Sequence, residues 1–140
     1  QLAKVTTLEN LDLSENNSVN DTGMPHLSGL TKLKSLNLWR TYVGDPGVES
    51  LAGLTAMEWL NLDNSQISDA CLKHLSRMNK LSFLHLGSTL VSDAGLPALE
   101  GLASLKDLKV TRTAVTEEGV AALNKKLPDT DIQLRYLEGQ

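Results

Sequence analysis

The chain has 140 residues, a formal net charge of −4, an apolar fraction of 41% and only 4% aromatic residues. This acidic balance does not suggest a nucleic-acid-binding protein, which would need a basic stripe, and no apolar run approaches the ~20 residues of a membrane span. Cys71 is the single cysteine, so an internal disulfide is excluded. We therefore expect one domain that binds neither nucleic acid nor a membrane and whose core consists of Leu, Val and Ile.

The chain opens on residues that resemble the end of a repeat. Leu2 and Val5 have the spacing of Leu27 and Leu30, the last two apolar positions of the first full unit. No polar capping segment precedes them, although the end of a solenoid exposes its core unless something covers it. We therefore expect residues 1–5 to be the tail of a preceding repeat, either within a larger chain or covered by a further domain or partner.

One apolar pattern recurs five times along the chain. Its copies are Leu8-x-x-Leu11-x-Leu13, Leu33-x-x-Leu36-x-Leu38, Met57-x-x-Leu60-x-Leu62, Leu81-x-x-Leu84-x-Leu86 and Leu105-x-x-Leu108-x-Val110. The step is 25 residues once and 24 thereafter, and the extra residue falls within 14–18, where it should enlarge a loop and leave the strands in register. A repeat domain is therefore predicted over 1–135, with units 6–30, 31–54, 55–78, 79–102 and 103–127, a terminal strand at 130–135 and a C-terminal tail at 136–140.

Each unit is predicted to contain a strand and a return segment. The two leucines separated by one residue mark a short strand that points them inward and their neighbours outward. Because a long return joins consecutive strands, they pair in parallel. Apolar residues three apart in the return, such as Leu27 and Leu30, indicate a short helix. The chain is thus predicted to be a right-handed α/β solenoid, with a parallel β-sheet on the concave face and short helices on the convex face.

Capping residues and acids mark the predicted helix starts. The N-caps are Asn20, Gly44, Ser68, Ser92 and Thr116, and the acids that follow them are Asp21, Asp45, Asp69, Asp93 and Glu117. An acid in the first turn interacts favourably with the helix dipole, so we interpret this column of carboxylates as capping rather than catalytic. Gly29, Gly53 and Gly101 stand at the helix ends, where a left-handed C-terminal cap is usual.

Two further columns are interpreted as structural. Small residues that predict close packing of the return segment are Gly23, Gly47, Gly95 and Gly119, with Cys71 in the remaining unit. Cys71 is therefore expected to be a buried filler rather than a reactive thiol, since the sequence places no particular base or cation beside it. The second column lies where each strand ends, and its side chains should point inward and bind backbone groups there. Its members are Asn17, Thr41, Ser65, Thr89 and Thr113.

Residues 2–134 resemble leucine-rich repeats. The likeness is clearest in Leu60-x-Leu62-x-x-Ser65-x-Ile67-Ser68-Asp69 and Leu84-x-Leu86-x-x-Thr89-x-Val91-Ser92-Asp93. This form is similar to the 24-residue repeats of bacterial, planctomycete-type proteins and to the cysteine-containing repeats of F-box adaptors, although cysteine is absent from the loop position. The resemblance implies a non-catalytic module that binds a protein partner through the concave sheet, often as part of a larger chain.

The residues flanking the strand leucines should face solvent on the concave side. Three of the chain's five aromatic residues, Trp39, Trp59 and Phe83, fall at such positions. Trp59 and Phe83 are equivalent in adjacent units and should lie about 5 Å apart. Tryptophan and arginine are enriched in binding hot spots, although aromatic residues so placed could simply stiffen the sheet. The predicted partner-binding residues are Trp39, Trp59, Phe83, His85, Arg40, Asp63, Asn37 and Asn61.

Charge is unevenly distributed over the predicted concave face. Its N-terminal side carries Glu9, Asp12 and Glu15, and its C-terminal side carries Lys106, Lys109, Arg112 and Arg135. Such polarity would orient a partner more than hold it. The alternative is a face whose charges are merely solvated.

Enzymatic chemistry finds little support in the sequence. His26 and His74 are two repeats apart, His85 has no second ligand at metal-binding spacing, and no glycine-rich phosphate loop is present. We therefore predict no enzyme activity and no cofactor, and protein–protein recognition through the concave face with a partner of unknown identity. The alternatives are a carbohydrate-binding surface, with Trp59 and Phe83 as its aromatic platform, and a passive spacer or docking module of a larger protein.

Overall fold

A computed structural model describes residues 6–135, so the predicted repeat tail at 1–5 and C-terminal tail at 136–140 lie outside the described residues. Six strands form one parallel sheet in the order of the chain. They are β1 (Asn10–Asp12), β2 (Ser35–Asn37), β3 (Trp59–Asn61), β4 (Phe83–His85), β5 (Asp107–Lys109) and β6 (Asp131–Gln133). The predicted parallel sheet of an α/β solenoid is confirmed.

The strand leucines form the core as predicted. Leu36, Leu60 and Leu84, at the centres of β2 to β4, are completely buried, and the residues on either side of them face outward and are partly exposed. The extra residue of the first unit does not shift the pairing, because Asn10 still pairs with Ser35. This register therefore places corresponding residues of successive units side by side on the outer face of the sheet.

The return segments are helical, but most of them are not α-helices. The 3-10 helices are Met24–Leu27, Asp69–Leu75 and Asp93–Leu99, and the α-helices are α1 (Asp45–Glu49) and α2 (Glu117–Lys126). A 3-10 helix has about three residues per turn, so leucines spaced by three fall on one side of it. Leu72 and Leu75, for example, are completely buried. The spacing of three therefore predicted the short helices but not their type, since the unit with Leu51 and Leu54 contains the α-helix α1.

The column of acids joins each coil to the next. The carboxylate of Asp45 accepts hydrogen bonds from the backbone N–H of Ser68, at 2.8 Å, and from its hydroxyl. The same two bonds join Asp69 to Ser92 and Asp93 to Thr116. We predicted only that each acid interacts with the dipole of the helix that it begins. That prediction was incomplete, because sequence spacing does not show which atoms of the neighbouring coil lie within hydrogen-bonding distance of the carboxylate.

The cap residues follow the prediction in part. Ser68, Ser92 and Thr116 are N-caps whose hydroxyls accept a backbone N–H of the first turn, and Gly44 caps α1 without a side chain. Asn20 is not an N-cap. The helix of its unit begins at Met24, and the Asn20 side chain instead accepts the N–H of Thr22.

The cross-coil carboxylates explain the absence of a side chain at Gly47, Gly95 and Gly119 but not at Gly23, where a Cβ would have room. A Cβ at Gly47 would come within 2.5 Å of the Asp21 Oδ1 atom, and a Cβ at Gly95 would overlap the Asp69 carboxylate. Cys71 occupies this column and is completely buried, as expected. Burial, assisted by the charge of Asp45 and a hydrogen bond to it, raises the pKa of the Cys71 thiol well above its usual range, so the thiol is unreactive.

Backbone turns at the strand ends depart from the prediction. Left-handed backbone occurs at Glu15, Arg40, Asn64, Ser88 and Arg112, with φ between 52° and 58°. Gly29, Gly53 and Gly101 do not adopt it, and the helices end at right-handed residues such as Ser28 and Glu100. The left-handed C-terminal caps predicted for these glycines are therefore wrong, because the helices run directly into ordinary turns.

The inward hydroxyl column binds backbone carbonyls as predicted. Thr41 and Ser65 donate to the carbonyls of Leu38 and Leu62 at 2.8 Å and 2.7 Å. Thr89 and Thr113 make the equivalent bonds in their units. Asn17 is exposed and lies in the enlarged first loop, so its unit departs from the pattern.

Candidate binding surface on the concave face

The concave face is formed by the outward residues of the six strands and of the turns that follow them. Trp59 and Phe83 pair directly across β3 and β4, and their rings stack with centroids 5.0 Å apart and planes 8° from parallel. His85 contacts the edge of Phe83 at 6.3 Å. Both aromatic residues remain partly exposed, so the predicted apposition is present on a surface that solvent can reach.

Trp39 lies apart from this pair and contacts its own neighbour. The guanidinium carbon of Arg40 lies 5.6 Å from the centre of the Trp39 ring, and Arg40 also pairs with Glu15 at 3.5 Å. The Arg40 and Glu15 side chains are more than half exposed, so this ion pair contributes little to stability. The structure therefore separates the three predicted aromatic residues into a stacked pair and a tryptophan–arginine pair.

His85, the last residue of β4, lies beside Asp63, which stands in the turn after β3. The Nε2 atom of His85 is 3.9 Å from Oδ2 of Asp63, and the two side chains are only 14% and 13% exposed. Burial lowers the pKa of His85, the Asp63 charge opposes this, and Lys109 reinforces it. The pKa remains below its ordinary value, so the ring is neutral at pH 7 and the contact with Asp63 is not an ion pair.

Gly87 allows the His85 ring to lie against the backbone. The N–H of Gly87 donates to Nδ1 of His85 at 3.0 Å, and a Cβ on Gly87 would lie 2.6 Å from the His85 ring. The same Cβ would lie 2.8 Å from Oγ1 of Thr111 and 3.0 Å from Oδ1 of Asp63. Gly87 and Thr111 were not among the predicted site residues. The signal that could have identified them is the missing side chain at Gly87 in a column otherwise occupied by larger residues.

The predicted asparagines are engaged in turns. The side-chain oxygens of Asn37 and Asn61 accept the N–H of Trp39 and Asp63, at 3.0 Å and 2.9 Å. Asp12 makes the equivalent bond to Ser14 at 2.9 Å. Side chains that accept the N–H two residues on are typical of Asx turns, and His85 uses its ring nitrogen in the same way. These acceptor oxygens are therefore already occupied by the backbone.

A shallow groove lies beside the aromatic pair. Its volume is about 530 Å³, and its lining residues are Asn10, Leu11, Asp12, Ser35, Asn37 and Trp59. Because Phe83 on β4 covers one side of the indole, the other face of Trp59 borders this groove above β1 and β2. The groove was not predicted, although the sequence already places the small side chain of Ser35 between Asn10 and Trp59.

The predicted charge gradient is softened by local pairing. Glu9 and Glu15 lie 3.7 Å and 3.5 Å from Lys34 and Arg40. At the opposite side, Lys109 donates to Gln133 at 2.7 Å. Within residues 6–135, no group of His, Cys, Asp or Glu is suited to hold a metal ion, and no helix is long and apolar enough to cross a membrane.

Comparison with known proteins agrees with this architecture. Residues 5–24 and 29–52 match the family model for leucine-rich repeats. The fold is a leucine-rich repeat solenoid. The chain is similar to internalin C2 of Listeria monocytogenes, with a TM-score of 0.79 and 24% identity over 95% of its length. It is also similar to a leucine-rich repeat protein of Leptospira interrogans, with a TM-score of 0.65 and 18% identity over 94% of its length.

The chain covers only part of the length of both of these proteins. It spans 54% of the internalin chain and 38% of the Leptospira chain. No curated protein matches the sequence. Both structural relatives are bacterial, but identities of this size show the fold alone, so a bacterial origin and the planctomycete-type or F-box-type subclass stay predictions.

Proposed function

We propose that this leucine-rich repeat domain is a non-catalytic module that recognises a protein partner through its concave sheet face. The observation that supports the proposal is the stacked Trp59–Phe83 pair, which is partly exposed beside a groove of about 530 Å³. Exposed aromatic residues bury large areas on binding and dominate many interfaces. Leucine-rich repeat solenoids commonly bind through such an extended concave surface.

The predicted rim residues would provide polar contacts around this aromatic centre. Arg40 and Asn37 flank Trp39, and His85 and Asp63 lie beyond Phe83. Asn61 lies between them on β3, directly after the buried Leu60. Polar groups at the rim of an apolar centre give register and specificity more than affinity.

The test is affinity purification with the domain as bait from a lysate of its own source. We expect a captured protein to be lost when the bait carries Trp39→Ala and Trp59→Ala together, with the circular dichroism spectrum unchanged. The matched control is Tyr42→Ala, because Tyr42 is 55% exposed in the loop after the strand rather than on the concave face. If the double variant and Tyr42→Ala capture the same proteins, the domain is instead a passive spacer or docking module.

A carbohydrate surface is the second candidate function. Sugar rings stack on tryptophan faces, and the open face of Trp59 beside the groove favours this alternative. The side-chain oxygens of Asn37 and Asn61 already accept backbone N–H groups. This reduces the number of acceptors available to sugar hydroxyls and weakens the case for carbohydrate binding. Binding to a glycan array that disappears in Trp59→Ala but persists in Tyr42→Ala would establish the carbohydrate function.

A further inference from the structure

The groove beside Trp59 is a gap in a row of outward side chains that crosses the sheet. Its width is that of one large side chain. Along the first outward position of the strands, Asn10, Ser35, Trp59 and Phe83 follow one another across the sheet. Adjacent strands are about 4.8 Å apart, so Asn10 and Trp59 stand about 10 Å apart, with only a serine between them. We call this space the Ser35 slot, bounded by Asn10, Asp12, Ser35, Asn37 and Trp59.

One border of the Ser35 slot is the carboxylate of Asp12, which has no cationic partner among the described residues. Asp12 lines the groove, and its hydrogen bonds with Ser14 lower its pKa, so it is ionised at neutral pH. The neighbouring Glu9 and Glu15 pair with lysine and arginine side chains. Of the residues that the structure describes, none places a cationic group within ion-pair distance of Asp12. The slot is therefore bordered by an aromatic face and an uncompensated negative charge.

A flat cation suits both borders of the slot. A guanidinium group stacks on an indole face and donates a fork of N–H groups to a carboxylate, whereas an ammonium group cannot lie flat on a ring. The pairing already occurs once on this face, where the Arg40 guanidinium lies 5.6 Å from the Trp39 ring centre. Trp59 would then be stacked on one side by Phe83 and on the other by the bound group.

We propose that the Ser35 slot binds an arginine side chain of the partner, stacked on Trp59 and paired with Asp12. This inference rests on the proposed function, because it names the partner chemistry that the concave face selects. It goes beyond that function in naming a slot whose floor is Ser35 and whose charged wall is Asp12.

The test is an NMR titration of the intact domain with N-acetyl-arginine amide, following the indole N–H signal of Trp59. The matched probe is N-acetyl-citrulline amide, which keeps the planar group and removes the charge. We expect saturable shifts with arginine and binding of citrulline that is weaker by about tenfold. Asp12→Asn should weaken arginine binding severalfold, and Ser35→Leu should abolish it by filling the slot. Asp107→Asn, at the start of β5, is the control that should leave binding unchanged.

Three results would contradict arginine binding in the Ser35 slot. The first is equal binding of the arginine and citrulline probes, and the second is equal binding of the arginine probe by the Asp12→Asn variant and the unchanged domain. The third is larger shifts with N-acetyl-phenylalanine amide or with a monosaccharide than with the arginine probe. The variants also separate the two proposals when used as bait. If Trp39→Ala/Trp59→Ala loses the captured protein while Asp12→Asn and Ser35→Leu retain it, recognition by the concave face stands and the arginine slot is wrong.

Discussion

Replacing Asp69 by alanine should weaken the bond between two consecutive coils. Its carboxylate accepts the Ser92 N–H at 2.7 Å and the Ser92 hydroxyl, and the contact joins residues 23 positions apart. A hydrogen bond to a charged group is worth about 1.5–3 kcal/mol, and partial exposure reduces this. For two bonds we expect Asp69→Ala to lower the free energy of unfolding by about 2–4 kcal/mol.

Urea unfolding followed by far-ultraviolet circular dichroism measures this change. Asp69→Asn is the graded variant, because its remaining oxygen still accepts the Ser92 N–H, and it should cost about half as much as alanine. Asp107→Ala is the control, since Asp107 is an exposed carboxylate on the sheet face. Hydrogen exchange of the Ser92 amide gives a local measure, because that N–H loses its acceptor in Asp69→Ala.

A cost for Asp69→Ala no larger than that for Asp107→Ala would contradict the expected role of this carboxylate. The same rate of exchange of the Ser92 amide in both variants would also contradict it. Either result would mean that the parallel sheet and the leucine core hold these two coils together without the Asp69 carboxylate.

Three further predictions concern the same coils. Gly95→Ala should lower the unfolding free energy by about 1–3 kcal/mol in urea titrations, because its Cβ meets the Asp69 carboxylate, and an unchanged midpoint would contradict this. Ser88→Gly should raise it by about 0.5–1 kcal/mol, since φ at Ser88 is 52° and glycine adopts this conformation without strain; a loss of stability would refute it. The pKa of His85 is lowered from 6.5 in the folded protein. The free energy of unfolding should therefore be constant above pH 6.5 and should decrease as the pH falls through the pKa of the folded protein. The fall reflects the cost of charging a buried ring, and His85→Asn should flatten the pH dependence of the urea midpoint.

The stacked aromatic pair was predictable because it depends only on the position that each residue holds within its repeat unit. Trp59 and Phe83 occupy the same position in adjacent units, and a parallel ladder in register brings such residues to one strand spacing. Their ring stacking at 5.0 Å follows directly from that register. The position of Trp39 in its unit does not predict that it lies apart from the pair, because its contact with Arg40 depends on the left-handed turn after β2.

The amino-acid sequence by itself determined the repeat, the buried leucines and the face on which the aromatic residues lie. These follow from local spacing, since alternation along a strand and a period of three along a 3-10 helix decide which side chains point inward. Only the tertiary structure decided that Asp45 binds Ser68 of the next coil, and that Asp69 binds Ser92 in the same way. Such contacts depend on the rise and rotation between coils, which bring particular atoms within hydrogen-bonding distance and which no spacing within a single unit specifies.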